Sequence, residues 1–206
     1  MKLVEPGAGQ ASFTRQQLPL GLGHAVWCAR ELVGREPFAL LLPDVLVQAE
    51  RGCLAQMIDA HAHLPAKSNV IAVEEVPMER IDQYGVVGVG EQKGKVFSIT
   101  AMVEKPPRER APSNLIITGR YILQPEILDL LAKQDRGTGG EIQLTDAMIA
   151  LSRTQNFYGL KFEGRSFDCG SKIGFLAANV SYALAREDIA PGFRAEIKRI
   201  IGENGA

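Results

Sequence analysis

Two aspartates stand where predicted strands end, and their position suits metal chemistry. Asp44 follows the apolar run at residues 38–42 and Pro43, and Asp168 ends a short β-rich run just before a predicted helix. Open α/β sheets bind ligands beyond the carboxyl ends of their strands. Mg²⁺ takes one or two carboxylates there, together with phosphate oxygens. Each aspartate alone is also explained as the cap of a turn or helix, whereas the pair can share one metal bound to a nucleotide.

A glutamate and a lysine, Glu104 and Lys105, close another β-rich run in front of Pro106. A carboxylate can accept hydrogen bonds from two adjacent sugar hydroxyls, and an ammonium group can hold a phosphate. Neighbouring side chains of a strand point to opposite faces, so both can serve one ligand only if the ladder ends here, as Pro106 indicates. The alternative is a solvated charge pair at a strand end.

Glycines mark two further candidate contacts. Gly21 and Gly23, in PLGLGHAV, precede a predicted helix, and Gly85 is the second residue of a β-rich run. Glycine lets the backbone approach a flat ring or a phosphate closely, and helix N-termini favour anions. An ordinary turn explains each glycine equally well.

The elements that must position these residues alternate between apolar runs and amphipathic stretches. Strands predicted at residues 38–42 and 69–76 are separated by a helix at 53–64 and preceded by one at 24–33. This alternation is typical of an α/β fold with a mostly parallel sheet flanked by helices. Because residues 38–42 are continuously apolar, we expect that strand to be covered on both faces.

The middle of the chain predicts an antiparallel β excursion attached to this sheet, because its β-rich runs are separated by turns and not by long helices. The runs lie at residues 84–89, 96–103 and 115–123. Beyond them the pattern predicts helices at 125–132 and 141–152, strands at 157–162 and 165–168, a helix at 171–187 broken by Pro191, and a last helix at 193–201. We expect one domain over residues 1–206, in which 188–206 form a C-terminal helical extension.

Composition excludes several classes of protein. The 206 residues are 46% hydrophobic and carry a formal net charge of -1, so no overall field attracts nucleic acid or an anionic membrane. No segment approaches the roughly 20 apolar residues of a membrane span. The three cysteines, Cys28, Cys53 and Cys169, have no CxxC spacing, which argues against a disulfide framework and favours a cytoplasmic setting.

Seven short motifs, taken together and in order, resemble those of a known family, although each motif alone is too weak to indicate it. They are PLGLGHAV, LLPDV, YGVV, VEKP, APSNLIITGRYIL, GEIQLTDA and FDCGSKIGF, running from about Phe13 to about Ala185. Together they resemble the bacterial UTP–glucose-1-phosphate uridylyltransferases, of the sugar nucleotidyltransferase superfamily. The resemblance implies a Rossmann-like mixed sheet. It also implies transfer of a uridylyl group from UTP to glucose 1-phosphate, which yields UDP-glucose and pyrophosphate.

The resemblance also implies a role for each matched residue, with Mg²⁺ as the cofactor. Asp44, Lys105 and Asp168 would be the catalytic residues, and the two aspartates would hold Mg²⁺ against the nucleotide phosphates. Lys105 would bind the phosphate of glucose 1-phosphate. The other implied substrate contacts are Gly21, Leu22, Gly23 and His24 on uracil, Gly85 and Glu104 on glucose, and Asn114, Thr118 and Gly119 beside the sugar site.

The sequence departs from the family at its start. Family members begin with a strand, a GxGTRxxPxT loop and a PKEMLP segment, and neither motif is present here. We therefore expect an N-terminally truncated nucleotidyltransferase fold that is inactive alone and that forms a homo-oligomer through an exposed edge beside residues 38–42. Two alternatives stay open: a non-catalytic sugar-nucleotide-binding or regulatory fragment, or a nucleotidyltransferase for another sugar 1-phosphate or nucleotide.

Overall fold

A computed structural model describes residues 5–135, 137 and 140–204. The helices are α1 Leu22–Cys28, α2 Arg30–Val33, α3 Cys53–Ala62, α4 Glu126–Leu131, α5 Leu144–Leu151, α6 Lys172–Leu184 and α7 Ala190–Asn204. The strands are β1 Phe38–Leu41, β2 Val45–Gln48, β3 Asn69–Glu75, β4 Gly85–Lys93, β5 Val96–Glu104, β6 Leu115–Leu123, β7 Phe157–Lys161 and β8 Arg165–Asp168. In the part of the chain described, no helix has the length and apolar character needed to cross a bilayer.

Six strands form one mixed sheet in the order β1-β6-β3-β7-β5-β4. The neighbours β3 and β7 are parallel, and the other pairs are antiparallel. The predicted α/β fold with a mixed sheet and an antiparallel excursion is confirmed. The antiparallel share is larger than the alternation of elements indicated, because β6 returns from the excursion to lie between β1 and β3.

Helices cover both faces of this sheet, and β3 shows it most clearly. Ile71 belongs to the apolar cluster beneath α1, α4 and α5, whereas its neighbour Val70 packs with Met57 of α3. Successive side chains of a strand point to opposite faces, so a strand between two helical layers must be apolar at every position. Residues 70–73 of β3 meet that requirement.

The first strand does not meet the same expectation. The strand predicted at residues 38–42 is present as β1, but Ala39 and Leu41 are exposed. The prediction that it is covered on both faces is wrong. Within the described residues β1 pairs only with β6, so it is an edge strand.

Two further boundaries differ from the prediction. The helix expected over residues 24–33 is divided at Ala29 into α1 and α2. Pro191, expected to break a helix, lies in the first turn of α7. A proline is tolerated in a first turn because its missing N–H has no partner there in any case.

A separate two-stranded sheet, β2 paired with β8, was not predicted in full. β8 was expected, but residues 45–48 were not assigned to a strand. The two strands are antiparallel and place Val45 opposite Asp168. This pairing brings the connection after β1 against the turn that leads into α6, and it frames the candidate site.

Candidate functional site

A cleft of about 1190 Å³ opens between the main sheet, the β2–β8 pair and the start of α6. Most of the residues expected to bind substrate or metal line it, namely Leu22, Asp44, Gly85, Glu104, Lys105, Thr118, Gly119 and Asp168. The structure therefore brings together side chains that are far apart in the sequence. The expected residues outside the lining are Gly21, Gly23, His24 and Asn114.

The two aspartates converge in this cleft. Asp44 lies between β1 and β2, its carbonyl oxygen accepts a hydrogen bond from the backbone N–H of Cys169 at 2.6 Å, and Asp168 ends β8. A methyl group built on Gly170 would lie 3.1 Å from Oδ1 of Asp168 and 3.7 Å from Oδ2 of Asp44. The two carboxylates thus border the same small space.

This donor set fits a magnesium ion better than an ion that needs a full protein cage. Among the described residues, no group of three or more His, Cys, Asp or Glu side chains is close enough to hold a metal. Asp44 is exposed and Asp168 half-buried, so both are open to water and to a ligand. Mg²⁺ characteristically takes one or two carboxylates and completes its shell with water and substrate phosphates.

The carboxylate of Glu104 has a hydrogen-bond donor on one side and open space on the other. The hydroxyl of Thr145, at the start of α5, donates to its Oε2 at 2.9 Å. Gly85 lies opposite Glu104 on β4, where an added methyl group would lie 3.1 Å from the same oxygen. Glycine therefore keeps the space in front of the carboxylate open, while Thr145 orients it.

The backbone at Lys105 explains how it shares a cleft with Glu104. Its φ is 46°, in the left-handed region that residues with a side chain rarely adopt. Its N–H still donates to the carbonyl of Tyr84 at 3.1 Å. This bend ends the regular alternation, so both side chains line the same cleft. Backbone strain of this kind is concentrated at functional sites.

The β6 residues at the floor of the cleft have partly structural tasks. The hydroxyl of Thr118 donates to the carbonyl of Ala72 at 2.8 Å and is buried. Gly119 has a φ of 69° and packs against the side chain of Leu42. Burial raises the pKa of the Tyr121 phenol well above its ordinary value, and the charges of Glu104 and Asp44 raise it further. Tyr121 therefore stays protonated in this acidic part of the cleft.

The glycines expected at uracil have a packing role in the structure. A methyl group on Gly21 would lie 2.8 Å from Cβ of Glu141, and one on Gly23 would lie 2.7 Å from the carbonyl oxygen of Ile142. The N–H of Gly23 donates to that same oxygen at 2.9 Å. Leu22, between them, is the residue of this segment that faces the cleft.

The other two expected residues outside the cleft lining have local partners. Nδ1 of His24 lies 2.8 Å from Nε2 of Gln16, and its ring stacks against Trp27. The carbonyl of Asn114 accepts the N–H of Val76 at 3.1 Å. Neither residue has a contact here that requires a ligand.

Sequence reasoning missed Lys172, the first residue of α6, which lines the cleft beside Asp168. Within the described residues it forms no ion pair. A lysine in the first turn opposes the helix dipole, and this unfavourable placement was the available signal. Its ammonium group can bind an anion in the cleft. Thr145, Arg80 and Arg165 also line the cleft and were not predicted.

Comparison with known proteins shows the family of the chain. The family model described as Nucleotidyl transferase matches residues 5–184. The UTP–glucose-1-phosphate uridylyltransferase of Bacillus subtilis (strain 168) is 44% identical over 177 residues, which are 86% of this chain and 60% of that protein. The enzyme of the same name from Komagataeibacter xylinus is 46% identical over 153 residues, 74% of this chain and 53% of the relative.

Solved structures are similar in the same region. A UDP-glucose pyrophosphorylase complexed with UDP-glucose has a TM-score of 0.80 at 37% identity, covering 85% of this chain and 66% of the other. A UTP-bound enzyme from Acinetobacter baumannii has a TM-score of 0.76 at 41% identity, covering 87% and 62% respectively. The chain spans about 60% of the length of the Bacillus subtilis relative. The chain belongs to the nucleotidyl transferase family, and its sequence and fold group it with members named UTP–glucose-1-phosphate uridylyltransferases.

Proposed function

We propose that this cleft serves the transfer of a uridylyl group from UTP to glucose 1-phosphate, giving UDP-glucose and pyrophosphate with Mg²⁺ as cofactor. The observation that carries the proposal is the convergence of Asp44 and Asp168 on one space. That space belongs to the same cleft as Glu104 and Lys105. Two carboxylates for a metal and a glutamate–lysine pair for a sugar phosphate are what such a reaction requires.

The chain contributes alignment and charge, and it needs no nucleophile of its own. Glu104, oriented by Thr145, accepts hydrogen bonds from the sugar hydroxyls. Lys105 and Lys172 bind phosphate oxygens. Asp44 and Asp168 would hold Mg²⁺, which when bound would neutralise phosphate charge. A phosphate oxygen of glucose 1-phosphate attacks the α-phosphorus of UTP, the bond to the β,γ-phosphates breaks, and pyrophosphate leaves. Positioning and electrostatic stabilisation supply most of the catalysis in such transfers.

The remaining contacts follow from the lining of the cleft. We assign the apolar contact with uracil to Leu22, and the packing surface for glucose to Gly85. Gly21 and Gly23 act by fixing the backbone around Leu22, since both pack tightly against residues 141–142. Thr118 and Gly119 shape the floor beneath the sugar.

Calorimetry tests this proposal on the purified chain. UDP-glucose and UTP are titrated with and without MgCl₂, with GDP-glucose and UDP-galactose as matched competitors, and pyrophosphate release is assayed in parallel. We expect magnesium-dependent binding of UDP-glucose in preference to both competitors. A chain that binds UDP-glucose but not UTP, and releases no pyrophosphate, acts as a sugar-nucleotide-binding fragment. Failure to bind UDP-glucose would contradict the assignment.

Thr145 provides a prediction for the sugar side of the cleft. Replacing it with valine keeps its shape and removes the hydroxyl that donates to Glu104. A hydrogen bond to a charged group contributes about 1.5–3 kcal/mol of free energy. Because Glu104 loses this support, we expect the Kd for glucose 1-phosphate to rise about 10-fold. Metal affinity should stay unchanged, because Thr145 does not contact either aspartate. Equal weakening of metal and sugar-phosphate binding in the calorimeter would show that the variant disturbs the whole cleft.

The edge of β1 that has no partner strand among the described residues supports a proposal of self-association with a second copy of the chain. An edge strand with exposed apolar residues is a template for pairing, and Leu41 is 45% exposed. We expect sedimentation velocity to show a concentration-dependent oligomer that Leu41→Lys shifts toward the monomer. Ile58→Lys, at an exposed position of α3, is the matched control and should leave the oligomer intact. A monomer at all concentrations would rule out this interface.

We also infer a cytoplasmic location. All three cysteines are free in the structure, and free thiols persist in a reducing compartment.

A further inference from the structure

Arg120 is a buried cation directly behind the metal-binding end of the cleft. It lies on β6 next to Gly119 and is 8% exposed. Its Nη1 donates to the carbonyl of Leu42 at 2.6 Å and to that of Gly119 at 3.0 Å, and its Nη2 donates to the carbonyl of Val45. One guanidinium therefore holds backbone on both sides of Asp44.

The charge of Arg120 is not used in an ion pair. No carboxylate of the described residues pairs with it, and its partners are the three carbonyl groups. Burying a guanidinium is costly unless its donors are satisfied, and an apolar side chain of similar size often fills such a position as well. The fork of Arg120 spans carbonyls three residues apart, which a lysine ammonium cannot do in one geometry.

The loop held in this way has few other restraints of its own. The N–H of Leu42 donates to Gly119 at 2.9 Å, Pro43 has no N–H, and the carbonyl of Asp44 accepts from Cys169. Among the described residues no donor contacts the carboxylate of Asp44. The direction of that carboxylate is therefore set by the backbone that carries it, and Arg120 fixes this backbone from the β6 side.

We propose that Arg120 is a positioning residue that aims the Asp44 carboxylate at the metal by clamping the carbonyls of Leu42 and Val45. The inference rests on the proposed function, because it assumes that Asp44 and Asp168 hold a divalent cation. It adds a requirement that neither aspartate reveals by itself: the metal site depends on a cation that touches neither the metal nor the substrate.

The test compares Arg120→Lys with the wild-type chain in three measurements. These are Mn²⁺ affinity by calorimetry, hydrogen exchange of the amides at residues 42, 44 and 45, and binding of glucose 1-phosphate without metal. Mutating a group that supports a metal ligand typically lowers metal affinity 10- to 100-fold. We therefore expect the affinity for Mn²⁺ to fall about 10-fold. Exchange should increase at residues 44–45, and metal-free binding of glucose 1-phosphate should change less than about twofold.

Arg108→Lys is the matched control, since Arg108 also donates to a backbone carbonyl, that of Glu79 at 2.6 Å, outside the cleft lining. It should leave Mn²⁺ affinity unchanged. If Arg120→Lys does not fold, Arg120→Gln, which can reach only one of the carbonyls, is measured in the same way.

The outcomes separate this proposal from the proposed function. If the wild-type chain binds no Mn²⁺, the proposed metal site is wrong, and so is the inference that depends on it. Wild-type binding that Arg120→Lys leaves unchanged overturns the positioning role and leaves the proposed function intact. Equal loss of Mn²⁺ and glucose 1-phosphate binding, with exchange raised throughout the sheet, would show a general structural role instead, and would also overturn the proposal.

Discussion

Replacing Asp168 with asparagine is expected to abolish metal binding while leaving the fold intact. Asparagine keeps the Oδ1 atom that accepts the N–H of Gly170 at 3.0 Å, so the turn into α6 retains its hydrogen bond. It loses the negative charge, and a neutral amide oxygen is a weaker ligand for Mg²⁺ than a carboxylate. Since even supporting groups change metal affinity by 10- to 100-fold, we expect a loss of at least about 100-fold for this ligand.

Asp44→Asn should have the same effect, and the double variant decides whether the two residues share one ion. If one ion bridges them, the wild-type chain binds one Mn²⁺ and the double variant is scarcely worse than either single variant. Asp188→Asn is the matched control, because Asp188 is exposed and pairs with Arg186 outside the cleft lining. Two wild-type sites, each lost separately, would contradict a shared metal. If Asp168→Asn keeps the wild-type affinity for Mn²⁺, Asp168 is not a metal ligand.

Gly174→Ala is expected to disturb the same site from the helix behind it. Gly174 lies in the first turn of α6, where an added methyl group would overlap the carbonyl oxygen of Asp168. Alanine normally stabilises a helix by about 1 kcal/mol relative to glycine. Here the backbone of Asp168 must move away, so we expect a net loss of about 1–3 kcal/mol in the free energy of unfolding. Mn²⁺ affinity should fall as well, because the displaced residue is one of the two proposed metal ligands.

Gly192→Ala provides the comparison for this prediction. Gly192 also lies in a helix, α7, and nothing stands within 4 Å of the methyl group that the substitution adds. It should be neutral or stabilise the chain by up to about 1 kcal/mol, without affecting Mn²⁺. Urea denaturation and calorimetry on both variants measure the contrast. Equal stabilisation by the two substitutions would mean that α6 does not approach Asp168 as closely as described.

The strands and helices could be predicted well because their signals are local. Residues 70–73 of β3 are all apolar, and helices do cover them on both faces of the sheet. The residues of β1 are also continuously apolar, yet Ala39 and Leu41 are exposed. Apolar residues reveal a strand, but whether a second layer covers it depends on elements elsewhere in the chain.

The candidate site could be predicted in part for a related reason. Asp44, Glu104, Lys105 and Asp168 stand at or next to the ends of predicted strands, and α/β folds bind ligands beyond the carboxyl ends of their strands. Lys172 and Thr145 could not be singled out in the same way. Lys172 follows a capping serine, and Thr145 begins a helix, positions at which many residues have only structural roles.

The sequence by itself determined the kinds of elements, the residues at their ends and the order of the family motifs, because periodicity, capping and motif spacing are properties of short segments. Only the tertiary structure decided which of these residues act together. Arg120 reaches Val45 across 75 positions, and Thr145 reaches Glu104 across 41. Such contacts depend on how β6 enters the sheet and how β2 meets β8, and the packing of the whole domain, not any local pattern, fixes that arrangement.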